Sequence, residues 1–153
     1  MFSICLLLCL FAQSSAPEAR AAGTITTLVD GLVLDDPAEY SSEAEYVNAS
    51  LAKIIDYLDL DDCPDWLKVL LVHDFICEFI AYDIGYRTAD LYEVLISGRG
   101  VCNDYAELTF RLLSELDVNC RYVSCLEMKH AWNVVEVQGK WYNMDVTWDD
   151  SYF

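Results

Sequence analysis

Basic residues are scarce in this chain of 153 residues: 9 Lys and Arg stand against 26 Asp and Glu, for a net charge of −17. Phosphate recognition needs clustered cations, so nucleic acid and anionic membrane are disfavoured as partners. Beyond the apolar run from Ile4 to Ala12, itself too short for a bilayer, no segment is long enough to cross a membrane. No Cys-x-x-Cys pair occurs, which argues against a structural zinc site. Internal repeats and low-complexity tracts are absent as well.

What is present supports one globular domain. Hydrophobic residues make up 55% of the chain, enough for a real core. Residues 1–21 read as a secretory signal, with Ala19-Arg20-Ala21 as a small-x-small cleavage site, although a basic n-region is missing. That implies a secreted or cell-surface protein whose remaining residues, 22–153, form the domain. An uncleaved anchor or a buried apolar arm is the alternative. Seven cysteines are present, and Cys5 and Cys9 fall in the signal. If Cys102 is a free nucleophile, then Cys63, Cys77, Cys120 and Cys125 either pair as disulfides or pack as small hydrophobes. Asn48-Ala49-Ser50 is a formal glycosylation sequon.

The periodicities give an order of elements. Ser41 or Ser42 caps a helix running to about Leu58, with Val47, Leu51, Ile54, Ile55 and Leu58 as its apolar stripe. A second helix starts at Pro64 and is apolar on almost every side, so it is central. It contains His73, read as a packed residue rather than a catalyst. A tyrosine-rich loop, 81–87, follows, then a short helix capped by Thr88. A third long helix begins at Cys102 and ends near Leu116. Three strands complete the chain: Val118 to Leu126, His130 to Val137 and Lys140 to Trp148, the last two joined by a tight Gln138-Gly139 turn.

Chemistry concentrates in Gly98-Arg99-Gly100-Val101-Cys102-Asn103-Asp104-Tyr105-Ala106, a glycine-loosened loop entering the cysteine helix. A thiol there meets unpaired N–H groups and the positive end of the helix dipole, both of which favour the thiolate. The hairpin supplies partners. A two-residue turn pairs Val137 with Lys140, which sets Trp132 opposite Asp145 and His130 opposite Thr147. Side chains alternate, so His130, Trp132 and Asp145 share one face, while Ala131, Asn133, Val135, Tyr142, Met144, Val146 and Trp148 turn to the core. His130 and Asp145 are then diagonal neighbours, about 7–8 Å apart at the backbone and able to hydrogen-bond. Asp145 would orient His130, His130 would take the Cys102 proton, and Trp132 would shield them from water.

Three blocks resemble the transglutaminase-like superfamily, cysteine-nucleophile relatives of the papain fold. They are the Gly-x-Gly-Val-Cys box around Cys102, His130-Ala131-Trp132-Asn133-Val134-Val135, and residues 139–149 around Asp145, in order and spaced by 28 and 15 residues. The resemblance covers about residues 64–153. It implies an α+β fold in which N-terminal helices, including the nucleophile helix, pack on a small antiparallel sheet. It also implies Cys102 as nucleophile, His130 as base and Asp145 as orienter. An upstream glutamine of the papain type has no counterpart, since the only glutamines are Gln13 and Gln138. The resemblance suggests an aromatic oxyanion donor instead, Tyr82 or Tyr86, beside the Cys102 backbone N–H. Animal relatives are often calcium-regulated, but the acidic residues here lack ligand-loop spacing; neither metal nor organic cofactor is expected. The chain stops eight residues after Asp145, where many relatives continue, as a truncated product or a minimal domain would. The activity implied is acyl transfer through a thioester on a protein or peptide, with hydrolysis favoured. Protein cross-linking and a catalytically silent binding module are the alternatives.

Overall fold

The computed structural model describes residues 28–87 and 90–150. The proposed signal, Thr88 and the last three residues lie outside them. After a 3-10 turn at Pro37–Glu39, helix α1 spans Glu43–Leu58. Ser42 caps it as expected, its hydroxyl accepting from Glu45 N at 3.2 Å, while the Glu45 carboxylate reaches back to Ser41 N at 3.0 Å. Such a cap is worth about 1 kcal/mol because it satisfies donors the helix cannot.

Helix α2, Asp65–Phe79, is the central element. Val69, Val72, Phe75 and Ile76 are fully enclosed, which is what apolar residues on every side require. The tyrosine-rich segment is not all loop. Ala81–Tyr82 forms a short strand, β1, parallel to β2, Arg99–Gly100. Between them α3 runs from Leu91 to Ser97, capped by Asp90 rather than Thr88: Asp90 Oδ1 accepts from Glu93 N at 3.0 Å. The supposed glycine-loosened loop is therefore an ordered strand. Gly98 closes α3 with φ of 63°, and a Cβ on Gly100 would lie 2.8 Å from Asp104 Cβ. Only glycine fits either place without strain.

Helix α4, Cys102–Glu115, packs against α2 and against a three-stranded antiparallel sheet of order β3-β4-β5. Strand β3 is Cys120–Cys125, shorter than expected, because Asp117 turns left-handed and Val118 N still bonds to Leu113 O at 2.9 Å. Strand β4 is His130–Val137, and Val137 pairs with Lys140 as the turn required. Gln138 and Gly139 both have positive φ, the geometry of a tight primed turn. Val135 and Met144 complete a core with Leu108, Leu112 and Leu113, all fully enclosed.

Strand β5 ends at Met144, not at Trp148. Residues Val146–Asp149 form a one-turn helix, α5, with Asp145 as its cap. The cap satisfies a donor that a continued strand would leave facing solvent at the sheet end. Two expected positions change with it. Thr147, placed on the His130 face, is buried, and Trp148, placed in the core, is 73% exposed.

Candidate active site

Cys102 is the first residue of α4. Valine at the cap has no acceptor to offer, so the helix start is secured from the other side: Val101 N donates to the buried Asp104 carboxylate at 2.8 Å. The sheet is bound to this helix by two polar contacts. Asn133, enclosed on the core face of β4, donates to the Ala106 carbonyl at 3.0 Å. Tyr122 on β3 donates from Oη to Asn103 Oδ1, also at 3.0 Å. Sequence reasoning missed both. The available signal was Asn133, a lone amide in an otherwise apolar strand face, which has to find a partner when buried.

His130 begins β4, and its Nε2 lies 2.7 Å from Asp145 Oδ2. The contact forms although Asp145 has left the sheet, because a helix cap directly after Met144 still points back over the end of β4. Asp145 carries two duties: Oδ2 meets the imidazole, and Oδ1 accepts from Trp148 N at 3.3 Å. Trp132 stacks on the His130 ring, with centroids 5.9 Å apart and planes 17° apart. Its indole N–H is held by Asn143 Oδ1 at 3.0 Å. Trp148 meets the same ring edge-on at 6.0 Å. The His130 side chain is left 11% exposed. Among the described residues no hydrogen bond joins Cys102 Sγ to His130; such contacts commonly tighten only in a reacting complex.

Burial raises the Asp145 carboxyl above its ordinary range. The His130 hydrogen bond and charge pull it back, and the negative charge of Asp149 pushes it further up. Burial first, then the electrostatic influence of Cys102 and Tyr86, raises the Tyr82 hydroxyl above its ordinary value. Burial and Cys102 do the same to Tyr122. Tyr86 stands apart. It is 74% exposed and touches Tyr82 edge-on at 6.2 Å. Of the two tyrosines, Tyr82 is the partly enclosed one. Among the described residues, no disulfide joins Cys63, Cys77, Cys120 or Cys125. Cys120 is pushed up to about 11 by burial, which makes it a packed hydrophobe at neutral pH.

The sequence model of the transglutaminase-like superfamily matches residues 52–146. The chain belongs to that superfamily. The match takes in α4, the whole three-stranded sheet and Asp145. A solved structure from Cytophaga hutchinsonii, titled a "putative cysteine protease", superposes with a TM-score of 0.50 at 21% identity. It covers 72% of this chain and 41% of the other, so this transglutaminase-like chain spans less than half of that protein. At that identity the likeness concerns the α+β, papain-like fold alone. No curated protein matches the chain significantly.

Proposed function

We propose that this transglutaminase-like domain is a cysteine-dependent acyltransferase acting on peptide or side-chain amides of protein substrates, with water as the usual acceptor. The observation that carries the reading is the 2.7 Å contact between His130 Nε2 and Asp145 Oδ2, on a strand pinned to the helix that Cys102 begins. With Nε2–H donated to Asp145, the neutral imidazole keeps its lone pair on Nδ1. Nδ1 accepts the Cys102 proton, and the sulfur attacks the amide carbonyl carbon. As the tetrahedral intermediate collapses, the C–N bond breaks and the Nδ1 proton passes to the leaving amine. Water then attacks the thioester with His130 as base, and the acid and free thiol are released. The Cys102 backbone N–H and the Tyr82 hydroxyl are the donors for the developing oxyanion. Trp132 and Trp148 cover the imidazole and strengthen its ion pair by excluding water.

The test is incubation of the full chain with casein and a fluorescent primary amine. New peptide termini that disappear in Cys102→Ala support the proposal. Amine incorporation dependent on Cys102 would make the protein a cross-linker instead. Neither product, from a folded chain, would leave a silent module.

A further inference from the structure

The second histidine lies in the middle of α2 and is 5% exposed. Its Nδ1 is 2.8 Å from Asp74 Oδ1, while the buried Nε2 is 3.5 Å from Asp149 Oδ2 and makes no hydrogen bond. Both ring nitrogens therefore look onto carboxylates, which only accept. Asp149 is the last residue of α5, and Asp145 is its cap. The one-turn helix is thus met by an imidazole at each end, His130 at Asp145 and His73 at Asp149. The two acids are also linked through the main chain, Asp149 N to Asp145 O at 3.0 Å. Other titratable groups around α5 include Cys77 on α2, whose Sγ lies 3.9 Å from the Val146 carbonyl oxygen, Tyr105 on α4, and Asp150, whose Oδ2 lies 2.7 Å from the Tyr105 hydroxyl.

We propose that His73 is a positioning residue for the reactive cluster: through Asp149 it holds the far end of α5 and offsets that acid's charge, so that Asp145 ionises against His130. The catalytic consequence rests on the function proposed above; the electrostatic link does not. Asp149 is one of the groups that raise Asp145, so removing the imidazole beside Asp149 changes that acid's effect on Asp145.

The experiment follows the Asp145 carboxyl and the His130 ring by NMR through a pH series. It uses the full chain as wild type, His73→Gln, Asp149→Asn and the double variant. The acid limb of Cys102-dependent turnover is measured alongside. His73→Gln is expected to move the Asp145 titration and the acid limb upward by about half a pH unit, about threefold in equilibrium constant. Asp149→Asn moves them downward, and the double variant returns close to wild type. A residue that merely fills the core would give a uniform loss with neither shift nor return, and that result overturns the proposal. Should His73→Gln fail to fold, Asp149→Asn decides alone: a downward shift supports the link, an unmoved titration overturns it. The NMR arm needs no turnover, so a catalytically inactive chain would defeat the function proposed above while this one is still tested.

Discussion

His130 and His73 are the only imidazoles in the chain, and each lies beside an aspartate at one end of α5. His130 stands at the start of a strand, stacked on Trp132, with Nε2 alone hydrogen-bonded. Its other nitrogen has no hydrogen-bond partner among the described residues. His73 sits inside α2 with a carboxylate near each nitrogen, so it has nothing left to offer. On the proposed reading the same residue pair serves as a base in one place and as a brace in the other. The difference is not the acid but what occupies the second nitrogen, and that is set by strand rim against helix interior.

The sharpest way to break this contrast is to remove each ring. His130→Ala should lower kcat/KM by about ten-thousandfold or more, as loss of a triad base does. His73→Gln should cost far less and should move the acid limb. Equal losses in steady-state kinetics would erase the distinction. Asp145→Asn comes next, with a fall approaching ten-thousandfold, because an amide cannot hold the imidazole in the same tautomer or stabilise its cation. Stability should move the other way. The folded Asp145 carboxyl is raised above its ordinary 3.8 by burial, so its contribution to stability is present below that value and is lost as pH rises through the folded one. Thermal melts should therefore show Asp145→Asn gaining on wild type as pH rises above the ordinary 3.8. A variant that falls steadily behind over that range would mean the ionised acid is a structural asset.

Smaller effects sharpen the account around the sulfur. Tyr82→Phe should cost about a hundredfold in kcat if its hydroxyl serves the oxyanion, whereas Tyr86→Phe, on an exposed ring, should leave kcat unchanged. Equal effects would remove Tyr82 from the site. Gly100→Ala drives a Cβ to 2.8 Å from Asp104 Cβ, and a backbone-anchored clash of that kind costs about 1–3 kcal/mol. Urea denaturation should show the loss, together with slower labelling of Cys102 as the start of α4 shifts.

Much of this arrangement was legible in the residues. The Gln138-Gly139 turn set the β4–β5 register, and with it the shared neighbourhood of His130 and Asp145. Helix α4 announced its own start, since apolar spacing begins just past Cys102. The end of β5 was hidden for a physical reason. Asp145, Val146, Thr147 and Trp148 keep strand alternation in sequence, while an aspartate that can cap Trp148 N favours a helical turn. The two-residue strands β1 and β2 carry no period to read. Asp90 was passed over because Thr88 is also an acceptable cap residue in sequence; the bond from Glu93 N to Asp90 Oδ1 identifies the cap. His73 was read as a packed residue, which its burial bears out; its approach to Asp149 depends on α5, the element the alternation concealed.

The most direct measurement is the rate of iodoacetamide modification at neutral pH, resolved cysteine by cysteine by peptide mass mapping, in wild type and in His130→Ala. Cys102 should react first, at least about tenfold faster than a model thiol, with Cys120 lagging behind under its burial. The advantage should vanish when the imidazole is removed. A Cys102 that reacts no faster than a model thiol, and at the same rate with and without His130, would contradict the account.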